Sequence, residues 1–137
     1  MRRIPHTRAF VALALAGAAG FFLAACASQQ PAIPEGLSAV EIFQRAQDAV
    51  SAGNFTLGLT YYSLVAKSFP DDKVHVTWAS YETAFLYYKM GKNDTALTLV
   101  NDLLDRYANA GDTLPAAPQI LAKNLKTRLE TAPKKTG

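Results

Sequence analysis

Few residues in this chain have side chains that bind metals or act as strong nucleophiles. Cys26 is the single cysteine, so it has no disulfide partner within the chain and no second thiolate with which to bind a metal. Beyond the first 25 residues the one histidine is His75, whereas a zinc site needs three or four ligands. The sequence also lacks a glycine-rich phosphate loop, a nucleophile elbow and a dinucleotide fingerprint. We therefore predict no metal site, no cofactor and no small-molecule substrate.

The carboxylates make a weak case for catalysis. Asp102 and Asp105 share one face of a predicted helix, where solvated charge is a better explanation than a cation site. His75 follows two aspartates near a predicted helix start, where an exposed residue of the first turn is expected. Glu82 could serve as a lone general acid on peptidoglycan, but glycoside cleavage usually employs two carboxyl groups. The sequence predicts a protein that is not an enzyme, and a peptidoglycan-acting enzyme is the least favoured alternative.

Four aromatic residues form a more distinctive pattern. They recur at steps of three, four and three residues, as on one face of a helix: Trp78, Tyr81, Phe85 and Tyr88. Ala84 and Tyr87 fall on a neighbouring face, so this helix is apolar on two sides and must bury both or offer one to a partner. Two interpretations stay open. The aromatic residues pack against the first and second helices with the fifth lying across the remainder, or they line a groove that binds a peptide.

Five helices are predicted to position these residues, because the apolar spacing from Leu37 onward is helical. Ser38 and Glu41 fit a capping box, in which each side chain satisfies a backbone amide of the first turn. Glycine, proline and capping side chains bound the predicted helices, which span residues 38–52, 55–69, 73–90, 93–109 and, from near the prolines at 115 and 118, up to 131. The fifth helix is expected to pack through one apolar face, formed by Ile120, Leu121, Leu125 and Leu129.

The first four helices contain a repeat. Aligning Gly53 with Gly91 gives a period of 38 residues, and small residues then recur at matching positions, Ala46 with Ala84 and Gly58 with Ala96. These positions resemble the tetratricopeptide repeat (TPR), in which paired helices approach closely where side chains are small. The first unit matches its pattern at Ala46, Gly53, Phe55, Gly58, Tyr62 and Pro70, and the second at Ala84, Tyr87, Gly91 and Ala96. The period exceeds the usual 34 residues by four.

Stretched repeats of this kind resemble those of periplasmic TPR proteins, including the lipoprotein subunit of the outer-membrane β-barrel assembly machine. The resemblance implies an all-α, TPR-like α-solenoid of two helix pairs with a C-terminal capping helix; a compact helical bundle is the alternative. It also implies a concave surface lined by the first helices of the repeats. The predicted groove residues are Trp78, Tyr81, Phe85, Tyr88 and Lys89 on the third helix, continued by Gln47 and Val50 on the first.

The N-terminus has the composition of a secretory leader. Three arginines precede the uncharged run from Ala9 to Ala25, which is marginal as a permanent anchor because a spanning helix takes about 20 apolar residues. The run ends in the sequence Leu23-Ala24-Ala25-Cys26, which resembles the lipobox of bacterial lipoproteins. The resemblance implies a diacylglyceryl group on Cys26, cleavage before it and acylation of the new amino terminus. An uncleaved membrane helix, or cleavage that leaves a free thiol, are the alternatives.

These features predict four segments: a signal peptide at 1–25, a lipidated N-terminus and flexible tether at 26–36, a TPR-like helical domain at 37–131 and a disordered tail at 132–137. Three of the 14 basic residues lie in the predicted leader and all 11 acidic residues lie beyond it, so cleavage leaves 11 of each. A balanced charge removes the support for nucleic-acid binding.

The sequence thus predicts a lipid-anchored periplasmic adaptor or scaffold of the bacterial cell envelope. Its partners would be the membrane, through the lipid on Cys26, and a segment of another envelope protein. Ala27, which follows the predicted lipidation site, favours the periplasmic face of the outer membrane. The resemblance to periplasmic TPR lipoproteins implies a role in outer-membrane assembly. The alternative is a permanent structural subunit of an envelope oligomer.

Overall fold

The computed structural model describes residues 36–110 and 113–131, and this part of the chain is all-α, without a strand. The five helices are α1 (Ala39–Ser51), α2 (Phe55–Ser68), α3 (Lys73–Lys89), α4 (Asn93–Ala110) and α5 (Ala116–Thr131). The predicted leader, the predicted lipidation site Cys26, the tether before Gly36 and the C-terminal tail lie outside the described residues.

Local side-chain chemistry sets the helix ends. The backbone N–H of Ser38 donates to Glu41 Oε2 at 2.9 Å and that of Glu41 donates to Ser38 Oγ at 3.3 Å, so the predicted capping box is present. Asn54 Oδ1 accepts from the N–H of Leu57 at the start of α2 in the same way. After α1 and α3 the chain reverses through Gly53 (φ 78°) and Gly91 (φ 73°), a conformation that favours glycine.

Small residues bring the paired helices together. Ala46 of α1 is fully buried and Gly58 of α2 is buried opposite it; Ala84 of α3 and Ala96 of α4 are fully buried at the matching positions of the second pair. Each helix packs on the next one along the chain, and α3 also packs on α1 and α5. The described helices α1 and α2 have no extensive contact with α5, which distinguishes this open stack from a compact bundle. The TPR-like solenoid of two helix pairs and a cap is confirmed.

The second helix pair is one turn longer than the first. The helices α3 and α4 contain 17 and 18 residues, whereas α1 and α2 contain 13 and 14. Four residues correspond to about one turn of α-helix. The first residues of α1 and α3 are 34 positions apart, as in an ordinary repeat, so the four surplus residues of the 38-residue period lie within α3.

The fifth helix caps the second pair, although one predicted packing residue is wrong. Ala122, Leu125 and Leu129 are buried against the second pair, and Leu121 is half-buried. Ile120, however, is 58% exposed, because the rotation of α5 turns this position to the outside. The hydroxyl of Tyr107 at the end of α4 donates to the carbonyl of Pro115 at 2.6 Å and fixes the entry into α5.

The close contact at Gly58 predicts that the effect of Gly58→Ala on stability depends on the residue at position 50. A Cβ at Gly58 would lie 2.6 Å from Cγ2 of Val50, a stiff β-branched side chain. We expect Gly58→Ala to lower the free energy of unfolding in the natural sequence and to raise it in a Val50→Ala background, where alanine contributes its higher helix propensity. The coupling between the two sites, measured by urea denaturation, should be about 1–2 kcal/mol.

Ala96→Gly serves as the matched control at the equivalent position of the second pair and should destabilise by about 1 kcal/mol or more. Stabilisation by Gly58→Ala in both backgrounds would contradict a close approach of α1 and α2.

Candidate protein-interaction surface

The four aromatic side chains that were predicted to share one helix face form a continuous row on α3. Trp78 and Tyr81 meet edge to face with ring centroids 6.3 Å apart, Tyr81 and Phe85 stack at 6.0 Å, and Phe85 and Tyr88 are tilted at 6.1 Å. We call these four residues the aromatic row. Each ring holds its neighbour, so the row is a preformed surface of α3 and not a set of independent side chains.

Burial divides the aromatic row between core and surface. Tyr81 is 9% exposed and belongs to the core between α3, α4 and α5, whereas Trp78, Phe85 and Tyr88 are half-buried at the edge of that core. The first interpretation is wrong about the contacts, because the row packs in the core shared with α4 and α5 and not in the core shared with α1 and α2. Peptide binding stays a prediction. The row fastens α5 to α3 through Tyr81, and it presents the remaining three aromatic side chains at the surface.

The other residues predicted for this surface are placed differently from one another. Lys89 Nζ lies 5.0 Å from the ring centroid of Phe55 and 6.0 Å from that of Phe85, so it adjoins the row. Gln47 is exposed on α1, a different helix from the one that carries the row. Val50 does not continue the surface as predicted: its side chain is half-buried and points at Gly58 of α2.

A small cavity opens beside the row, between α3 and α5. Its volume is about 250 Å³, and we call it the α3–α5 pocket; it is lined by Tyr81, Phe85, Leu121, Asn124, Leu125 and Arg128. Arg128 is the one charged residue of this lining. Burial raises the pKa of the Tyr81 hydroxyl, an effect that Glu82 increases and the positive charge of Arg128 opposes.

Sequence reasoning missed the polar side of this pocket. Asn124 and Arg128 are four residues apart on α5, and this spacing was the available signal. Their position next to α3 depends on how α5 is rotated about its axis, the same rotation that exposes Ile120.

The side chains considered as candidates for catalysis include a helix cap and a half-buried carboxylate. Asp72 Oδ1 accepts from the backbone N–H of His75 at 3.1 Å, and Oδ2 lies 2.8 Å from His75 Nδ1, so this pair caps α3. The ring of His75 also meets Phe43 edge to face at 5.9 Å. Glu82 is half-buried, and burial raises its pKa while the charge of Lys89 opposes the shift. Among residues 36–110 and 113–131, no group of three or more His, Cys, Asp or Glu could hold a metal ion.

A second groove lies on another side of α3, between α2 and α4, with a volume of about 710 Å³. Its floor includes Ser80 and Thr83, whose hydroxyls donate to the carbonyls of Val76 and Ala79 in the preceding turn. Asp102 and Asp105, considered above as a cation site, line its α4 side separately from the aromatic row. This groove supplies a control surface for experiments on the row.

The fold and this surface define a class, a small TPR-like helical-repeat domain with aromatic side chains on the first helix of its second repeat. The chain is 35% identical over 100 residues to an uncharacterised protein of Treponema pallidum (strain Nichols), which covers 71% of this chain and 40% of that protein. It is 30% identical over 86 residues to the outer membrane protein assembly factor BamD of Neisseria gonorrhoeae, covering 59% of this chain and 32% of BamD. BamD of Neisseria meningitidis serogroup B is 29% identical over 87 residues, with 60% and 32% covered.

The chain therefore spans less than half the length of these curated relatives. No protein-family model matches it, and no solved structure matches it significantly. Within the described residues, no helix has both the length and the apolar character that crossing a bilayer requires.

Glu82 and Glu41 have pKa values shifted in opposite directions, which predicts how stability depends on pH. Burial raises the pKa of Glu82, so its protonated form favours the folded state, and that stability is lost as pH rises through the folded pKa. Hydrogen bonds from Ser38 lower the pKa of Glu41, so its stability is present above the unfolded pKa and is lost as pH falls. We expect Glu82→Gln to raise the melting temperature at pH 7 and to lose this advantage near pH 4.

Glu41→Gln is the matched control and should show the opposite pH dependence. Its melting temperature should lie below that of the natural protein at pH 7, and the difference should become smaller in acid. Thermal unfolding followed by circular dichroism between pH 4 and 7 checks both variants. Parallel profiles for the two variants would contradict the burial of Glu82.

Proposed function

We propose that this protein is a noncatalytic adaptor that holds a segment of another cell-envelope protein on its aromatic row. One observation carries the proposal: Trp78, Phe85 and Tyr88 are only half-buried, so part of each ring stays accessible in a row of mutually contacting rings. Large aromatic side chains with fixed rotamers supply contact area at low entropic cost and dominate the energetics of protein interfaces. The partial similarity to BamD, named as an outer membrane protein assembly factor, supports a role in outer-membrane assembly.

Binding on this surface would proceed through side chains. The described part of the chain consists of helices joined by short turns, and it presents no strand edge on which a partner could add a strand. A partner segment must therefore fill the space along α3 with its own side chains. The aromatic row and the adjoining Lys89 offer apolar and cationic contacts for this purpose.

We further propose that acyl chains on Cys26 anchor the domain to the membrane, with the segment at 26–36 as the tether. Each buried methylene contributes about 0.8 kcal/mol, and two or more chains are needed for stable attachment. The ten residues that follow Cys26, from Ala27 to Gly36, reach about 30 Å when extended, so the domain could meet a partner away from the bilayer surface. The lipobox-like sequence before Cys26 supports this part of the proposal, and the similarity to BamD supports an envelope location.

Tyr88→Ala tests the adaptor function. We expect partner capture to weaken roughly tenfold or more, as for a central aromatic contact, while the free energy of unfolding falls by about 1–2 kcal/mol, less than for a fully buried ring, because Tyr88 is only partly buried. Crosslinking in intact cell envelopes, affinity capture and quantitative mass spectrometry measure the first effect, and urea denaturation measures the second.

Two variants frame this result. Leu99→Ala, in the groove between α2 and α4, should leave capture unchanged, and Tyr81→Ala should cost several kcal/mol of stability as a core truncation. Capture that survives Tyr88→Ala but is lost with Leu99→Ala would move the binding surface to the other groove.

Cys26→Ser tests the anchor. The variant should move from the membrane fraction to the soluble fraction, because the serine hydroxyl cannot form the thioether that carries the lipid. Cell fractionation with immunoblotting measures the distribution, and metabolic labelling with a palmitate analogue measures the lipid directly. A variant that remains in the membrane fraction would indicate a retained N-terminal helix.

A further inference from the structure

We infer that the α3–α5 pocket takes an apolar side chain of the bound segment while Arg128 binds an acidic side chain next to it. The inference rests on the proposed function and adds the chemistry of the partner, an internal acidic stretch that contains a large apolar residue. It follows from the lining of the pocket, the charges around it and its position along the aromatic row.

The walls of the pocket favour an apolar side chain. Tyr81 and Phe85 stack on the α3 side, and Leu121 and Leu125 face them from α5. The volume of about 250 Å³ lies below the range of about 300–1,000 Å³ typical of small-molecule sites. A single aromatic or branched aliphatic side chain fits a cavity of this kind.

The mouth of the pocket favours a carboxylate. Arg128 and Asn124 are exposed and lie one turn apart on α5. No carboxylate of the described residues forms an ion pair with Arg128, whereas the neighbouring Lys126 pairs with Glu130 at 3.8 Å. A guanidinium group binds a carboxylate through two parallel hydrogen bonds, and the Asn124 amide can donate to the backbone of the same segment.

The charges around Phe85 also favour an acidic segment. Arg128 lies on the α5 side of this ring, and Lys89 Nζ lies 6.0 Å from its centroid. Glu82 is the acidic group that acts on these residues; it is half-buried, its charge is felt by both Lys89 and Tyr81, and it does not itself line the pocket, so it offsets the two cations only in part. The net charge presented to a bound segment is positive, which disfavours a basic partner.

The position of the pocket favours an internal segment over a chain terminus. Tyr81 and Phe85 are the two middle members of the row, and Trp78 and Tyr88 lie beyond them on either side. Tyr88 follows Trp78 by ten positions along the helix, or about 15 Å, which equals four or five residues of extended peptide. A segment that covers the whole row therefore continues in both directions from the pocket.

A peptide selection on the full chain tests this inference. A random dodecapeptide phage library is panned on the immobilised protein, and an enriched peptide is synthesised with blocked termini, together with a variant that carries amides in place of its acidic side chains. We expect enrichment of Asp or Glu beside Phe, Tyr, Leu or Ile. We expect the Arg128→Gln protein to bind the acidic peptide roughly fivefold more weakly than the natural protein does. Both proteins should bind the amide variant of the peptide with the same affinity.

Lys123→Gln is the matched control, because Lys123 is an exposed cation of the same helix outside the pocket lining. Equal binding of the acidic and amide peptides, or binding insensitive to Arg128→Gln but still weakened by Tyr88→Ala, would overturn the inference and leave the proposed function intact. If binding requires a free C-terminal carboxylate on the peptide, the inference that the pocket binds an internal segment would be overturned. Selected peptides insensitive to both Tyr88→Ala and Phe85→Ala, or no enrichment at all, would overturn the proposed function as well.

Discussion

The structure depends on the burial of α3 from two sides. Ala79 and Leu86 of this helix belong to the core shared with α1 and α2, and Tyr81 and Ala84 belong to the core shared with α4 and α5. A helix between two cores must be apolar around most of its circumference, which a helix at the end of a stack need not be. The aromatic row follows from this constraint, because the part of α3 that neither core fully covers is still apolar.

The extra turn of the second helix pair connects this constraint to the cap. In the 38-residue alignment, residues 107–110 of α4 have no counterpart in α2, and Tyr107 lies in this surplus turn. Its hydroxyl donates to the carbonyl of Pro115, immediately before α5. A second pair of ordinary length would lack this fixed point. The extra turn of α4 therefore helps to place α5 against α3, and with it the pocket that the two helices share.

The helix boundaries and the pairing of the helices were predictable from the sequence, whereas the rotation of single helices about their axes was not. Each predicted helix boundary falls within a residue of the structure, because capping side chains such as Ser38 and Asn54 and turn glycines such as Gly53 act on their own neighbours. The exposure of Ile120 and the inward position of Val50 depend on the rotation of one helix against another. The spacing of apolar residues defines such a rotation only loosely where a helix, like α5, carries leucine and alanine over a wide arc.

The same division applies to the candidate surface. The spacing of Trp78, Tyr81, Phe85 and Tyr88 predicted a common face, and the structure brings all four together. Whether that face is core or surface is a question of what covers it, and α5 covers only the part around Tyr81. The spacing of Asn124 and Arg128 predicts that they share a face of α5, but not that Arg128 lies beside Phe85, because Phe85 is distant in sequence and belongs to another helix.

Packing within the aromatic row also affects what binding would cost. A flexible aromatic side chain loses rotamer entropy when a partner immobilises it, at about 0.5–1.5 kcal/mol for each side chain ordered. In the row this ordering has already occurred during folding, since Phe85 is held between Tyr81 and Tyr88 and Lys89 lies over its ring. Tyr81, anchored in the core, restricts the whole series. Partial burial of the row is therefore compatible with recognition and favours it, because the core that immobilises Tyr81 leaves the half-buried rings on either side already in place for a partner.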